Sequence, residues 1–240
     1  MTDALGWDEI FDAHKSGWDS IVTFLGVAHA LAAEARTVVD VGCGRGGMAD
    51  HASSSIFHDF RGPGRQVIGI DVDPVGATNP LLDDFRPIGP DGRWPLDDAS
   101  VDLAVSDFVL EHVDDPQAFV AELARTLRPG AAFVARTISR YSPLSAAART
   151  VPNDKHSRWL SVLQPNRHEK DVFPTRYRMN GERALHRLFD PQFDIVVKHR
   201  VGLEQYFLRW PRTARAIMAV EPRLPKAMQM TLVLYARRRA

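Results

Sequence analysis

Val38-Val-Asp-Val-Gly-Cys-Gly-Arg-Gly46 is a β-branched run that breaks into glycines at alternate positions, and it constrains the fold more than its length suggests. Branched side chains favour a packed, extended strand. Glycine accepts left-handed backbone and lets a second backbone or a ligand come close. The run is therefore expected to be a buried strand ending in a tight turn. Met48, Ala52 and Ile56 recur at helical spacing through Phe57, so the turn should open a helix whose first amides face the space the glycines leave.

The strand-and-helix pattern then repeats. Gln66-Val-Ile-Gly-Ile-Asp71, after the Gly62-Pro-Gly64 breaker, reads as a second buried strand ending in an acid. Val101-Asp-Leu-Ala-Val-Ser106 is a third, and Asp115-Pro116 is a helix start with proline at the first helical position. Phe119, Val120, Leu123 and Leu127 give that helix one apolar stripe; Pro129-Gly130 stops it before a strand over Ala131–Ile138. Residues 139–180 break the pattern, being rich in proline, arginine and histidine. A helix over Gly181–Phe189 capped by Asn180, a strand through Phe193, Ile195, Val197 and Val201, and a last strand over Gln229–Tyr235 are expected to follow. Alternating β and α elements with short turns imply an α/β chain built on a mostly parallel, doubly wound sheet.

Composition narrows the class. With 240 residues, 45% of them hydrophobic, the chain can bury a full core, and its longest apolar stretch, around Ile21–Ala33, is too short to cross a bilayer. The start lacks a basic segment leading into an apolar one, so a cytoplasmic protein is expected. Cys43 is the single cysteine, which excludes an intrachain disulfide and a cysteine-based zinc cage, and no metal site is expected. Net charge is zero but unevenly spread: residues 1–138 hold 10 Lys and Arg against 22 Asp and Glu, whereas residues 139–240 hold 20 against 8. That basic half is either a solvated surface or an attractor for an anionic substrate. The terminal arginines read as a solvated tail.

Four ordered segments carry a family resemblance. Val38–Gly46, Ile68-Gly-Ile-Asp-Val-Asp-Pro74, Trp94–Leu103 with Ser106-Asp-Phe-Val-Leu-Glu-His-Val113, and Leu127-Arg-Pro-Gly130 together resemble class I S-adenosylmethionine (SAM)-dependent methyltransferases, in the small-molecule branch called the type 11 methyltransferase domain. The resemblance covers about residues 35–138. It implies a single Rossmann-like domain over residues 1–240: a seven-stranded, mostly parallel sheet with helices on both faces, N-terminal helices over 7–33 and an inserted lid at about 139–180.

The same resemblance implies S-adenosylmethionine as cofactor and assigns its contacts. Asp40 would orient the turn toward the methionine end, while Gly42, Cys43, Gly44 and Gly46 offer it backbone. Asp71 would accept both ribose hydroxyls and Val72 pack on the adenine. Asp91 and Gly92 lie near the family's adenine-binding acid, in a loop one residue shorter. Ser106, Asp107 and Phe108 would line the methionine and sulfonium. Each has a plainer role: Asp40 capping the turn, Asp71 capping the next helix, Cys43 simply fitting.

Methyl transfer needs mainly an in-line approach in a dry pocket, with a base optional. His112 is the candidate base, or else a structural hydrogen-bonding residue. The lid holds 8 Lys and Arg against 3 Asp and Glu, with Trp159, Phe173 and Tyr177; its densest part is Asp171-Val-Phe-Pro-Thr-Arg-Tyr-Arg178. His156, Arg176 and Tyr177 are the candidate acceptor-binding residues, and arginines there suit a carboxylate or phosphate. The expected reaction is methylation of an O or N atom of a small-molecule acceptor, for which an anionic group is one option, with no membrane partner and a homodimer left open. RNA modification, an NAD(P)-dependent oxidoreductase, and a methyltransferase fold that uses SAM without methylating are the alternatives. Against the first, Ser106-Asp-Phe-Val109 departs from the Pro-Pro-aromatic motif of base-amino methylases; against the second, the third glycine falls two residues after the second.

Overall fold

In a computed structural model, which describes residues 20–46, 52–150, 174–207 and 209–240, the expected alternation is present. Helix α1 (Ser20–Ala32) precedes β1 (Thr37–Val41), α2 (Ala52–His58) and β2 (Gln66–Asp71). Then come β3 (Asp84–Pro87), β4 (Val101–Asp107), α3 (Pro116–Thr126) and β5 (Leu127–Ile138). The chain continues through α4 (Pro143–Thr150), α5 (Glu182–Phe189), β6 (Phe193–Arg200), α6 (Pro211–Val220) and β7 (Thr231–Arg238). Among the described residues no helix is long and apolar enough to cross a membrane.

The seven strands lie in the order β3-β2-β1-β4-β5-β7-β6, with β7 alone reversed, running antiparallel to both neighbours. Strand alternation feeds two cores. Val38 joins Val67, Leu103 and Val134 beneath Phe24, Leu25 and Ala28 of α1. Val39 and Val41 join Ile68, Ala104 and Phe133 beneath Phe119 and Leu123 of α3 and Leu185 and Phe189 of α5. Parallel strands covered on both faces explain why β1, β2 and β4 read as near-continuous apolar runs.

The amino end of the sheet is clasped by Asp102. Its Oδ2 accepts from the amides of Arg36 at 3.0 Å and Thr37 at 2.9 Å, and its other oxygen pairs with Arg128. Burial works against its charge, but Arg128 and the two amides outweigh it and hold the carboxyl below the usual range. At the other end, strand order reverses between β1 and β4, each parallel to the other, and this switch point is where open α/β sheets receive ligands.

Several elements differ from their expected form. Asn180 does not cap α5; the cap is Gly181, without a side-chain bond, and Asn180 is buried, donating to Thr137 Oγ1 at 2.7 Å and the Ile138 carbonyl at 2.8 Å. Polar groups left at the buried end of β5 claim that amide. The final strand runs through Arg238, because Gln229 follows a short turn of 3-10 helix over Lys226–Met228. Nor do the arginines form a free tail: Arg237 and Arg238 lie in β7, and Arg239 pairs with Asp194 at 2.8 Å. Strand β5 starts at Leu127, ahead of the Pro129-Gly130 break, which appears as a register shift with Gly130 at φ +80°. The stripe expected on α2 faces outward at Ile56 and Phe57, both exposed. Edge strand β3, Asp-Phe-Arg-Pro, carries no periodic signal, and α6 was likewise not anticipated.

Candidate active site

The turn after β1 closes with Gly42, Gly44 and Gly46 at φ +74°, +48° and +72°. The amides of Gly42 and Cys43 bond to the Ile70 carbonyl at the end of β2, at 2.8 and 3.4 Å. The glycines differ in what surrounds them. A Cβ on Gly42 would stand 2.4 Å from Val109, and one on Gly46 2.3 Å from Asn79 Oδ1; at Gly44 nothing lies within 4 Å. Two glycines are thus required by packing, while Gly44 borders open space at the switch point. Asn79, which the sequence reading passed over, is buried and braces the turn, donating to the Cys43 carbonyl at 3.0 Å and accepting from the Leu81 amide at 3.0 Å.

Asp71 closes the turn from the β2 side. Its carboxylate accepts from the Gly44 amide at 2.9 Å and from the Asp73 amide at 2.9 Å. A carboxylate offers about four lone-pair sites, so capacity remains for hydroxyls of a ligand. The following 3-10 turn, Pro74–Thr78, is capped by Asp73 rather than Asp71. Val72 beside it is 65% exposed, an apolar face next to the carboxylate. Cys43 is buried, and its sulfur fits only because Gly69 across β2 has no side chain: a Cβ there would lie 2.7 Å from Sγ. Burial, with Asp40 and Asp71 nearby, pushes the thiol far up, so it is not a nucleophile at neutral pH.

Beneath the turn lies a charged cluster. Arg136, buried on β5, holds Asp107 at the end of β4 through paired bonds of 2.7 Å from Nε and Nη2. His58 Nε2 of α2 stands 3.7 Å from the same carboxylate. Burial opposes charge on Asp107, but Arg136 and then His58 prevail and hold it below the usual carboxylate range. Asp40, in register with Gly69 and Val105, behaves oppositely. Burial first, then the charge of Asp107, with Asp71 adding and His58 opposing, pushes it up to about 7. Two neighbouring acids thereby titrate in different pH ranges.

The remaining residues divide. Ser106 is fully buried and its hydroxyl donates to the Val41 carbonyl at 3.0 Å, holding β4 to β1. Phe108 follows with φ +56°, its ring 4.5 Å below the Arg136 guanidinium, a costly backbone for a bulky residue that aims it at the strand ends. Asp91 is exposed and folded onto its own loop, accepting from the Arg93 amide at 3.2 Å beside Gly92 at φ +74°. Instead Ile88 lies against Asp71, donating its amide to the Asp71 carbonyl at 2.8 Å.

His112 Nδ1 stands 3.1 Å from the Pro174 carbonyl, so Nδ1 carries the hydrogen and Nε2 is the basic nitrogen when the ring is neutral. The amides of Arg176 and Tyr177 bond to the Glu111 carbonyl, at 2.7 and 3.3 Å, bringing both beside the His112 segment. His156 lies outside the described residues.

Residues 39–135 match the family model described as a methyltransferase domain, a span running from β1 through β5 and containing the glycine turn, Asp71 and His112. Over these residues the chain is similar to a methyltransferase domain. A probable S-adenosylmethionine-dependent methyltransferase of Mycolicibacterium smegmatis is 36% identical over 148 residues, 60% of this chain and 52% of that protein. The match thus spans about half the length of that curated relative. Among solved structures, the geranyl diphosphate C-methyltransferase of Streptomyces coelicolor A3(2) superposes with TM-score 0.54 at 17% identity, over 90% of this chain and 76% of that one. The [4+2]-cyclase SpnF does so with TM-score 0.55 at 15% identity, over 91% and 80%. At such identities these two likenesses show the class I Rossmann-like fold of the methyltransferase domain and nothing finer.

Proposed function

We propose that the chain transfers the methyl group of S-adenosylmethionine to an O or N atom of a small-molecule acceptor. The observation that carries the reading is the pairing, at the sheet's switch point, of an open glycine position with a buried carboxylate: Gly44 has room on its Cα side and gives its amide to Asp71. This cradle fits the cofactor. Asp71 would hold the two ribose hydroxyls, exposed Val72 would cover one face of the adenine, and the backbone of Gly42–Gly44 would meet the amino-acid end. The cofactor, when bound, supplies an electrophilic methyl on a sulfonium. The chain's own work is to hold that group against Phe108, exclude water, and place the acceptor in line. His112 Nε2 would receive the acceptor's proton as the new bond forms, with Nδ1 anchored on Pro174.

The test is calorimetric titration of S-adenosylmethionine and S-adenosylhomocysteine into wild type and Asp71→Asn. Losing a charge-assisted acceptor for two hydroxyls should weaken both ligands by roughly tenfold or more. Wild type that binds neither ligand, or an Asp71→Asn variant that binds both unchanged, overturns the reading. Labelled-methyl transfer to a panel of small phenols, amines and carboxylates then reports the acceptor atom.

A further inference from the structure

A second concave site lies a short way along the same sheet edge. A cavity of about 710 Å³ is lined by four arginines, Arg140, Arg176, Arg178 and Arg187, with Tyr177 and Leu188 between them and Asp114 and Asp115 at one side. The arginines come from separate parts of the fold: Arg140 from the turn after β5, Arg176 and Arg178 from the extended segment after residue 173, and Arg187 from α5.

Their charges are not evenly matched. Asp114 is engaged by Arg176, whose Nε lies 2.6 Å from Oδ1. Arg178 donates, among the described residues, to the Asp114 backbone carbonyl. Asp115 spends Oδ1 on the amides of Gln117 and Ala118, at 3.0 Å each, capping α3. Among the described residues, therefore, Arg140, Arg178 and Arg187 have no carboxylate partner, and Arg140 Nε is buried without any hydrogen bond. Among the described lining residues, four arginines against two aspartates leave a surplus of two positive charges. A buried donor without a partner, as Arg140 Nε is, costs free energy unless an acceptor completes it, and an anion in this cavity would also meet the exposed guanidiniums of Arg178 and Arg187.

The backbone adds a separate observation. Tyr177, between two of the arginines, sits at φ +55°, a left-handed backbone that a bulky residue rarely adopts. Such strain persists where surrounding structure imposes it, and here the Glu111 carbonyl pins the amides of Arg176 and Tyr177 on the cavity wall.

We infer that this cavity binds a phosphoryl group carried by the methyl acceptor. A single carboxylate satisfies one guanidinium with its two oxygens, whereas a phosphoryl group brings roughly two negative charges and three acceptor oxygens, matching the surplus and the number of unmatched arginines. The position fits an acceptor site. Val109 packs against Gly42 of the cofactor turn, and five residues later Asp114 lines the cavity, so the two sites are bridged by a segment no longer than about 18 Å when fully extended. The acceptor is then a compact phosphomonoester or diphosphate. This inference rests on the methyl-transfer reading for the word acceptor, but the anion site stands or falls by itself.

The experiment titrates inorganic phosphate, pyrophosphate and acetate into the full chain by calorimetry, with and without saturating S-adenosylhomocysteine, for wild type, Arg140→Gln and Arg187→Gln. Wild type should bind phosphate or pyrophosphate at least tenfold more tightly than acetate, and each variant should lose roughly tenfold or more of that affinity. A tighter pyrophosphate than phosphate isotherm points to a diphosphate, the reverse to a monoester. S-adenosylhomocysteine affinity should be unchanged in Arg187→Gln, whose side chain is on an exposed helix position, so loss of anion binding there cannot be ascribed to misfolding. Wild type that binds none of the anions, acetate bound as tightly as phosphate, or variants that retain wild-type phosphate affinity would each overturn the inference. If S-adenosylhomocysteine fails to bind wild type while phosphate binding still depends on Arg140 and Arg187, the methyl-transfer reading falls and the anion site remains.

Discussion

Gly44→Ala separates what the glycine turn does for folding from what it does for a ligand. The new methyl meets nothing within 4 Å, so the cost is confined to backbone: φ +48° is left-handed, worth about 1–2 kcal/mol for alanine. Restricting the unfolded chain returns roughly 0.4–1 kcal/mol, leaving a net loss near 1 kcal/mol and a Tm lower by about 2–4 °C in a chain of this size. Gly42→Ala carries the same backbone cost and drives a methyl to 2.4 Å from Val109. Overpacking adds about 1–3 kcal/mol, so its total is roughly 2–4 kcal/mol. The order reverses for binding, because the Gly44 methyl occupies the space where a cofactor's backbone contacts must form. Urea unfolding followed by circular dichroism gives the stabilities, and calorimetry with S-adenosylhomocysteine gives the affinities. Gly44→Ala should be the more stable variant yet lose at least tenfold in binding. Equal destabilisation by the two substitutions, or wild-type affinity in Gly44→Ala, would refute the division of roles.

The charged cluster yields two more expectations. Arg136→Met leaves the partly exposed Asp107 beside another acid without its bidentate partner, so it should cost about 2–4 kcal/mol in urea unfolding, whereas Arg136→Met with Asp107→Leu should recover much of that; a double variant no better than the single would count against the pair. Asp40, raised to about 7 in the fold, keeps its proton where the unfolded chain has lost it, so its contribution to stability falls as pH rises from about 4 to 7. Asp40→Asn should flatten that portion of the pH–stability curve, and identical curves for variant and wild type would show that Asp40 ionises normally.

The fold was largely legible because its strands are buried on both faces and their turns are punctuated by glycine, proline or aspartate. Asp115-Pro116 located α3 to the residue. What stayed hidden was hidden for physical reasons. Edge strand β3 is four residues with one large apolar side chain, too short for any period to register. Asn180 has the chemistry of a cap, and only tertiary packing revealed that the end of β5 needs it more. At the site, the glycine turn and Asp71 could be placed from order alone, since neighbouring parallel strands bring their ends together. Asn79, Arg140 and Arg187 could not, because they reach their sites from elements distant in sequence. Arg136 did leave a trace: a lone charge inside the apolar strand Ala131–Ile138 demands a buried carboxylate, and Asp107 is that partner.

The Asp102 clasp joins the first residues of β1, β4 and β5 at the end of the sheet away from the glycine turn. Natural variation should therefore fall into two kinds with different symptoms. Changes around Asp102, Arg36 and Arg128 would alter how much folded protein a cell keeps, since a loss of 1–2 kcal/mol can change abundance several-fold. Changes beyond the carboxyl ends of the strands would leave abundance alone and alter which molecule is turned over. A sheet fastened at one end in this way lets new acceptor preferences arise at the other without the fold having to be rebuilt.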